Sequence, residues 1–227
     1  MKGNVGSQCI WLSHILTNDT PLYGGSSGIA VKQEKAIKLE DSCNTTVLTM
    51  PSHAGTHVDS PYHFLANGKR VDQYAPEDWF FNCPHIVFFS AKPGQLITPE
   101  DISLPEHISE NTDLLLLCSG FEKYRGLDLY WQEGPGLSPE LADYFVEHCP
   151  KLRAVGVDFI SISSLMHREE GRAAHRTFLE KGIMLFEDMR LSGIRKEERL
   201  EKVVALPLRF SNGDGAPCTI AGWLDDD

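Results

Sequence analysis

Three histidines and one aspartate lie within eleven positions of this chain, in the stretch HAGTHVDSPYHF. They are His53, His57, Asp59 and His63. The chain holds nine histidines in 227 residues, so a window of that size would hold roughly 0.4 of them by chance. Imidazole nitrogens and carboxylate oxygens are the protein ligands of zinc, manganese and related divalent ions. The stretch therefore predicts a metal site rather than a polar strand with surface histidines.

The spacing of these four side chains favours a strand or a loop. All four occupy odd-numbered positions, and side chains two apart along an extended chain point to the same face. A helix would align only the first two histidines and would have to contain Gly55. Ten fully extended steps would span about 33 Å, too far for one site. Gly55 and Pro61 are therefore predicted to be bends that fold the segment back on itself.

The motif resembles that of a known family. The pattern His-x-Gly-Thr-His-x-Asp-x-Pro-x-His is the signature of metal-dependent hydrolases called the cyclase family, which includes bacterial kynurenine formamidases and isatin hydrolases. The resemblance covers nearly the whole chain, through WLSHILTNDTPLYGG, LLLCSGFEKY, GVDFIS and HRTFLEKGIMLFEDMRL. In the family, a helix histidine and a glutamate twelve residues later complete the metal site, and His175 and Glu187 match that spacing.

The resemblance implies one or two divalent metals, Zn or Mn, in each chain. His53, His57 and Asp59 would hold the first ion. Asp59 would bridge to a second ion held with His175 and Glu187. From the residues alone, His175 is predicted to lie on a helix and Glu187 at the end of the next strand, where side chains can project into a shared site.

The resemblance also implies a catalytic role for His63, as the general acid and base that moves a proton from the attacking water to the leaving amine. An ordinary histidine pKa near 6.5 suits both directions. The expected activity is hydrolysis of a small amide, most of all N-formylkynurenine to kynurenine and formate. An isatin-like lactam or another cyclic amide or ester stays open as substrate, and so does a non-catalytic metal-binding or regulatory homologue.

Three departures from the family pattern concern the substrate pocket. The family often has Glu-Asn-Leu where this chain has Asp188 and Met189 after the glutamate, and Asp-Thr-Pro-Ser where this chain has DFIS from Asp158. The central turn commonly carries Arg-Thr-Gly, whereas here Cys118 and Ser119 precede the glycine. The predicted metal ligands are untouched by these changes.

A few other side chains could assist the site. Phe64 follows the motif directly, and Trp79, Phe80 and Phe81 could receive an aromatic amide or pack in the core. Asp158 could orient a ligand histidine or hold a turn.

A serine hydrolase is the rival from another class of mechanism. GGSSG at 24–28 matches the Gly-x-Ser-x-Gly elbow, with Ser26 as nucleophile. That elbow needs a buried strand before it and a helix after it. The neighbouring sequence, NDTPLY and then IAVKQ, favours a glycine-rich turn instead.

The elements that must position these residues are mostly strands. The segments QCIWLS, GIAVKQ, NTTVLTM, HIVFFSA, DLLLLCS, AVGVDFI, GIMLFED and KVVALPLRF read as strands. SPELADYFVEHC is predicted to be a helix with Ser138 as N-cap and Pro139 in its first turn, and GRAAHRTFLEKG a helix that ends at Gly182. A short helix is expected after Thr98.

These elements predict an α/β fold, in a single domain over residues 1–227. The second half alternates strand and helix, which suggests βα units packed on a sheet built largely by the first half. We expect a strand-rich architecture of the swivelling β/β/α type, with a few helices packed on a mixed sheet.

Composition limits the partners. The formal net charge is −11, from 21 basic and 32 acidic residues, which argues against nucleic acid and anionic membranes and favours a small-molecule substrate. No apolar run is long enough for a membrane span, and no cleavable signal is evident, so a cytoplasmic protein is expected. Six scattered cysteines are expected to be reduced core thiols. The resemblance adds the expectation of a homodimer, and the terminal Asp-Asp-Asp is expected to be a solvated end.

Overall fold

The computed structural model describes residues 8–105 and 108–225, so the last two residues of the Asp-Asp-Asp terminus lie outside the described part. The strands are β1 (Cys9–Trp11), β2 (Ala30–Lys35), β3 (Thr45–Thr49), β4 (His57–Asp59), β5 (Phe80–Phe81), β6 (Pro84–Phe88), β7 (Leu96–Ile97), β8 (Leu114–Cys118), β9 (Gly136–Leu137), β10 (Ala154–Val157), β11 (Met184–Glu187), β12 (Leu200–Pro207) and β13 (Gly215–Leu224). The α-helices are α1 (Leu129–Gln132), α2 (Glu140–His148) and α3 (Arg168–Glu180). Short 3₁₀ turns lie at Tyr23–Gly25, Ile37–Leu39, Pro61–His63, Val71–Gln73, Pro76–Trp79, Pro99–Asp101 and Phe121–Tyr124.

One mixed sheet of nine strands dominates the fold. Its order is β5-β12-β13-β4-β11-β10-β8-β6, and β1 pairs with β13. Strands β6, β8, β10 and β11 run parallel, whereas β4 is antiparallel to both of its neighbours, β11 and β13. Because β6 also lies close to β12, the sheet nearly closes on itself. The short strand β4, which carries part of the histidine motif, is the fourth strand in this order and lies near the middle of the sheet.

Apolar side chains fill both sides of this sheet. Along β8, Leu115 and Leu117 pack with side chains of α2 and α3, such as Phe145 and Phe178. Leu116, on the opposite face, joins the core inside the nearly closed sheet. Burial on both faces explains why β8 reads as an uninterrupted apolar run. The α/β fold with few helices on a mixed sheet is confirmed.

The predicted elements are found, with shifted ends. Each of the eight predicted strands overlaps an observed one. Helix α3 begins at Arg168, three residues earlier than predicted, and the chain leaves it through Gly182, whose φ of 76° is the left-handed conformation that glycine favours. The short turn after Thr98 is present at Pro99–Asp101.

The N-cap prediction for α2 was wrong. The helix begins at Glu140, and the Ser138 hydroxyl has no hydrogen-bond partner among the described residues. The Ser138 backbone N–H donates instead to the Ile97 carbonyl, 2.8 Å away, which ties this segment to the end of β7. The hydroxyl therefore does not cap the helix, although the Ser138 carbonyl accepts from the Leu141 N–H at 3.3 Å.

The prediction that the first half supplies most of the sheet was also wrong. Strand β13 was missed because Pro217 and two glycines interrupt its pattern, and proline inside a run argues against a strand. In the structure β13 is the partner of β4, with Pro217 opposite His57 and Gly215 opposite Asp59. Its loop therefore reaches the histidine motif from the far end of the chain.

Two composition-based predictions can be compared with the fold. No helix in the described part of the chain is long and apolar enough to cross a membrane. All six cysteines are free thiols, and Cys118, Cys149 and Cys218 are buried as predicted. Cys9 and Cys43 are exposed, so the prediction of a core position was wrong for them.

Candidate metal centre

Strand pairing places three of the candidate ligands next to one another. His57 and Asp59 lie two apart on β4, so their side chains share a face. His57 is directly opposite Glu187 across the antiparallel ladder with β11. The three side chains are buried, and His57 Nε2 lies 3.4 Å from a carboxylate oxygen of each acid.

Two bends bring the outer histidines of the motif onto the same site. Gly55 has a φ of 61°, a left-handed conformation that turns the chain between His53 and β4. Pro61 opens the 3₁₀ turn Pro61–His63. The ring of His53 ends 4.0 Å from the ring of His63 and 5.1 Å from that of His57, measured between centroids. The predicted bends are present, and they, rather than one extended face, make the histidines converge.

Helix α3 delivers His175 because it packs unusually close to the preceding loop. A Cβ at Gly171 would lie 2.7 Å from Ser163 Cα, closer than real Cβ contacts. One helical turn later, His175 Nδ1 lies 2.8 Å from the Gly171 carbonyl and 3.2 Å from Ser163 Oγ. These contacts leave Nε2 facing the two carboxylates, 3.3 Å from Asp59 and 3.3 Å from Glu187.

Asp59 lies between two groups of potential ligands. Its Oδ1 faces His53 Nδ1 at 2.7 Å and His57 Nε2 at 3.4 Å, whereas its Oδ2 faces His175 Nε2 at 3.3 Å. In each group, His53, His57 and Asp59 or Asp59, His175 and Glu187, the ligand atoms all lie within 4.8 Å of one another. The structure thus brings together the five residues predicted to hold metal, and their role as ligands stays a prediction.

Charge at this centre is balanced between buried acids and buried imidazoles. Burial opposes charge on both partners, but their mutual hydrogen bonds outweigh it. Hydrogen bonds to Asp59 and Glu187 raise the pKa of His175 to about 10. Against burial and the nearby charge of Asp59, hydrogen bonds from His175 and His57 lower the pKa of Glu187 to about 2. The pKa of His57 is raised and that of Asp59 lowered in the same way.

The donor set fits a divalent ion. His57 Nδ1 lies 2.8 Å from the Gly55 carbonyl, and His175 Nδ1 makes the matching contact with Gly171. A carbonyl only accepts, so Nδ1 carries the hydrogen in both rings and the neutral ring directs its Nε2 lone pair into the cluster. Asp59 and Glu187 together carry two negative charges, which one divalent ion would neutralise once the imidazoles lose their extra protons.

The cluster forms the floor of a pocket of about 240 Å³. Tyr23, Phe64 and Ile160 line its walls, and the Phe64 ring stacks on His175 with centroids 4.5 Å apart. This volume lies below the range of drug-sized pockets, which begins at roughly 300 Å³. The pocket therefore suits a small substrate with aromatic character.

The predicted catalytic residue, His63, also lines this pocket. Burial lowers its pKa, so the ring is neutral at neutral pH. Its Nδ1 lies 3.3 Å from Asp214 Oδ2, and the same oxygen lies 2.8 Å from His53 Nε2. Sequence reasoning missed Asp214, because it lies 151 residues after His63 and the only local signal is a glycine-flanked turn, SNGDG.

A second buried network holds the end of β11. Asp188 follows Glu187 with a φ of 51°, and its carboxylate accepts from Arg125 at 2.8 and 2.7 Å and from the Tyr130 hydroxyl at 2.7 Å. Thr56 Oγ1 donates to the Asp188 carbonyl at 2.5 Å. Where the family often has Glu-Asn-Leu, this chain thus forms an ion pair between the buried Asp188 and the half-buried Arg125, directly after Glu187.

Other candidates proved structural. Asp158 accepts from the Ser119 backbone and hydroxyl and from the Gly120 N–H, so it holds the turn after β8 and contacts no ligand histidine. Trp79 and Phe81 are buried in the core inside the sheet, and Phe80 is 41% exposed. Of the aromatic candidates, only Phe64 lines the pocket.

The serine-hydrolase alternative does not hold. Ser26 is exposed and follows the turn Tyr23–Gly25, where both glycines have positive φ. No strand precedes it and no helix follows it directly, within the described residues around 24–28. GGSSG is the glycine-rich turn that the neighbouring sequence favoured.

A mixed sheet that nearly closes on itself, with a buried histidine and carboxylate centre between its helix-covered face and α3, defines the class of protein. Residues 10–164 match the Cyclase family, described as "Putative cyclase", and the chain belongs to that family. Over 217 residues it is 27% identical to a kynurenine formamidase of Bacillus thuringiensis subsp. konkukian (strain 97-27), covering 93% of this chain and 95% of the relative.

Solved structures share the fold. Isatin hydrolase A from Labrenzia aggregata, bound to benzyl benzoate, superposes with a TM-score of 0.75 at 20% identity, covering 95% of this chain and 93% of that one. A "predicted metal-dependent hydrolase" from Bacillus stearothermophilus superposes with a TM-score of 0.75 at 19% identity, covering 96% and 99%. The resemblance stated from the motif is confirmed.

The close packing of α3 gives a first prediction. Gly171→Ala is expected to weaken metal binding by about tenfold or more, because the added methyl pushes the helix away from Ser163 and displaces His175. Metal affinity, measured by competition with a chelating dye, tests this. Gly193→Ala is the control, since a Cβ there meets nothing within 4 Å. Equal affinity in both variants would show that the helix position does not set the site.

The network around Asp188 gives a second prediction, on stability. Arg125→Met is expected to cost about 3 kcal/mol of unfolding free energy, because it leaves a buried carboxylate without its counter-charge. Arg172→Met, which breaks an exposed pair with Glu169, is expected to cost under about 1 kcal/mol. Urea denaturation measures both. Similar losses in the two variants would contradict the argument.

Proposed function

We propose that this protein is a metal-dependent hydrolase of a small amide, with N-formylkynurenine, cleaved to kynurenine and formate, as the favoured substrate. The observation that carries the proposal is the arrangement of Asp59, which turns one oxygen to each of two histidine groups at the floor of a small pocket. The kynurenine formamidase relatives, similar over almost the whole chain, favour the formamide over a lactam.

The metal would be held by His53, His57 and Asp59, by Asp59, His175 and Glu187, or by both groups. A divalent ion bound there lowers the pKa of water and polarises a carbonyl. Zinc and manganese both suit this set of nitrogen and oxygen donors. The homodimer and the cytoplasmic location expected from the sequence stay predictions.

The chain's own residues would orient the substrate and move the proton. Phe64, stacked on His175, offers one aromatic wall to the substrate ring. His63, neutral and with Nδ1 turned to Asp214, presents Nε2 to accept a proton from the attacking water. The same nitrogen then donates that proton to the amine as the carbon–nitrogen bond breaks. Formate and an aryl amine leave.

A substrate panel tests the proposal. The stripped protein, restored with zinc or manganese, is incubated with N-formylkynurenine and with isatin, and formate, kynurenine and isatinate are quantified. Equal amounts of formate and kynurenine are the expected result. Ring opening of isatin without formamide cleavage would move the protein to lactam hydrolysis. If metal is bound but neither compound is consumed, the non-catalytic alternative becomes the better account.

A further inference from the structure

Asp214 lies between a predicted metal ligand and the predicted catalytic residue. It belongs to the loop that joins β12 to β13, directly before Gly215. Its Oδ2 is 2.8 Å from His53 Nε2 and 3.3 Å from His63 Nδ1, and its Oδ1 accepts from Ser52 Oγ at 3.1 Å. One carboxylate therefore contacts two imidazoles that face the pocket.

The loop is built to hold this position. The Asp214 carbonyl accepts from the backbone N–H of Ser60 at 3.0 Å and from its hydroxyl at 2.8 Å. A Cβ at Gly215 would lie 2.5 Å from His53 Cε1 and 2.7 Å from the Val58 carbonyl, so only glycine lets His53 lie this close. The backbone that carries the carboxylate is thus anchored by hydrogen bonds that do not involve the two histidines.

The proton positions on His53 follow from its two neighbours. Its Nδ1 faces Asp59, on the side of the first ligand group, and its Nε2 faces Asp214. A neutral imidazole has one N–H and one lone pair. If the Nδ1 lone pair serves the ion, Nε2 carries the hydrogen and donates it to Asp214, the carboxylate–histidine–metal arrangement that orients many ligand histidines.

The same three residues could in principle bind an ion of their own. The ligand atoms of His53, His63 and Asp214 lie within 4.8 Å of one another. That ion would need the lone pair of His53 Nε2 while Nδ1 serves the other group, which would require a doubly deprotonated ring. With His53 engaged, only two donors remain, too few for a tight site. Hydrogen bonding is therefore the better use of this group.

We propose that Asp214 is a positioning residue that fixes the tautomer and orientation of His53 and His63 together, and so couples metal binding to proton transfer. The His63 part of this inference rests on the proposed function. The His53 part concerns metal binding and is testable without a substrate.

The first experiment measures metal affinity on the full chain. Zinc is titrated into the stripped protein in competition with a chelating dye, for wild type, Asp214→Asn and the exposed loop control Ser211→Ala. Asp214→Asn is expected to bind zinc about 10- to 100-fold more weakly, and Ser211→Ala as tightly as wild type. Unchanged affinity in Asp214→Asn would overturn the role toward His53. The wild type could also bind one zinc more than the two groups that contain Asp59 can hold. If Asp214→Asn lost that zinc, His53, His63 and Asp214 would form an ion site, and the hydrogen-bonding role would be overturned.

The second experiment is a double-mutant cycle with His63→Gln at saturating metal. Asp214→Asn alone is expected to lower kcat by about 10- to 100-fold with KM nearly unchanged. In the His63→Gln background, at saturating metal, it is expected to lower kcat no further, because the imidazole whose proton transfer it supports is absent. If Asp214→Asn acts instead by displacing the loop, KM is expected to rise and the kcat losses of the two single variants to multiply in the double variant. That result would overturn the role toward His63. If wild type turns over no substrate, the proposed function has failed, and the zinc titration still decides the role toward His53.

Discussion

Asp59→Asn is expected to abolish hydrolysis, with kcat/KM lowered by at least about a thousandfold, since the ion contributes several kcal/mol at the transition state. Asp59 is the one residue shared by both ligand groups. An asparagine offers an oxygen to only one of them and turns an amide N–H₂ toward the other. The loss of one negative charge also leaves a divalent ion poorly neutralised. Metal content and activity are measured on the same sample.

The matched control for this substitution is Asp128→Asn, since Asp128 is an exposed aspartate outside both ligand groups that accepts from Trp131 Nε1. Asparagine can keep that hydrogen bond, so full metal content and activity are expected. An Asp59→Asn protein that binds the normal amount of metal and stays active would show that this carboxylate does not hold the ion.

His63→Gln is expected to lower kcat by about 10² to 10⁴, the usual contribution of general acid–base catalysis, while the metal stays bound. His63 is outside both predicted ligand groups, and its ring lies 6.1 Å from that of His175 between centroids. Glutamine fills much of the same space and can still donate to Asp214, but it cannot carry the proton between water and amine. Steady-state kinetics and metal analysis test the two halves of this statement.

His148→Gln provides the control, because His148 is an exposed histidine at the end of α2. It is expected to leave kcat unchanged. A His63→Gln protein that loses its metal would identify His63 as a ligand. One that keeps full activity would remove it from the mechanism.

The local motif was predictable because its chemistry lies in a short stretch of sequence. The spacing of two residues predicted that His57 and Asp59 share one face of an extended segment, and in the structure both lie on the strand β4. Gly55 and Pro61 were recognisable as bends from their residue types alone. His175 and Glu187 were predicted from the family's spacing. In the structure, helix α3 and the following strand β11 place these two residues in the same site.

The rest depended on pairings that leave no local trace. Asp214 reaches His63 only because β13 pairs with β4, in a register that puts Gly215 opposite Asp59. Proline and glycine hid that strand from a search for apolar alternation. The partners of Asp188 were equally hidden, since Arg125 lies 63 residues away from it along the chain.

The aromatic run Trp79–Phe81 shows the same limit. Its composition is equally suited to a pocket wall and to a core. Only the packing of the sheet decides that Trp79 and Phe81 face inward, away from the pocket.

The most direct test of the central claim is a metal titration of the stripped, full-length protein, with N-formylkynurenine hydrolysis and bound metal recorded at every step. The account predicts that activity is absent without metal, rises in proportion to the zinc or manganese bound, and levels off at one or two ions per chain. Hydrolysis by the stripped protein at the restored rate, or the absence of stoichiometric binding of either ion, would contradict it.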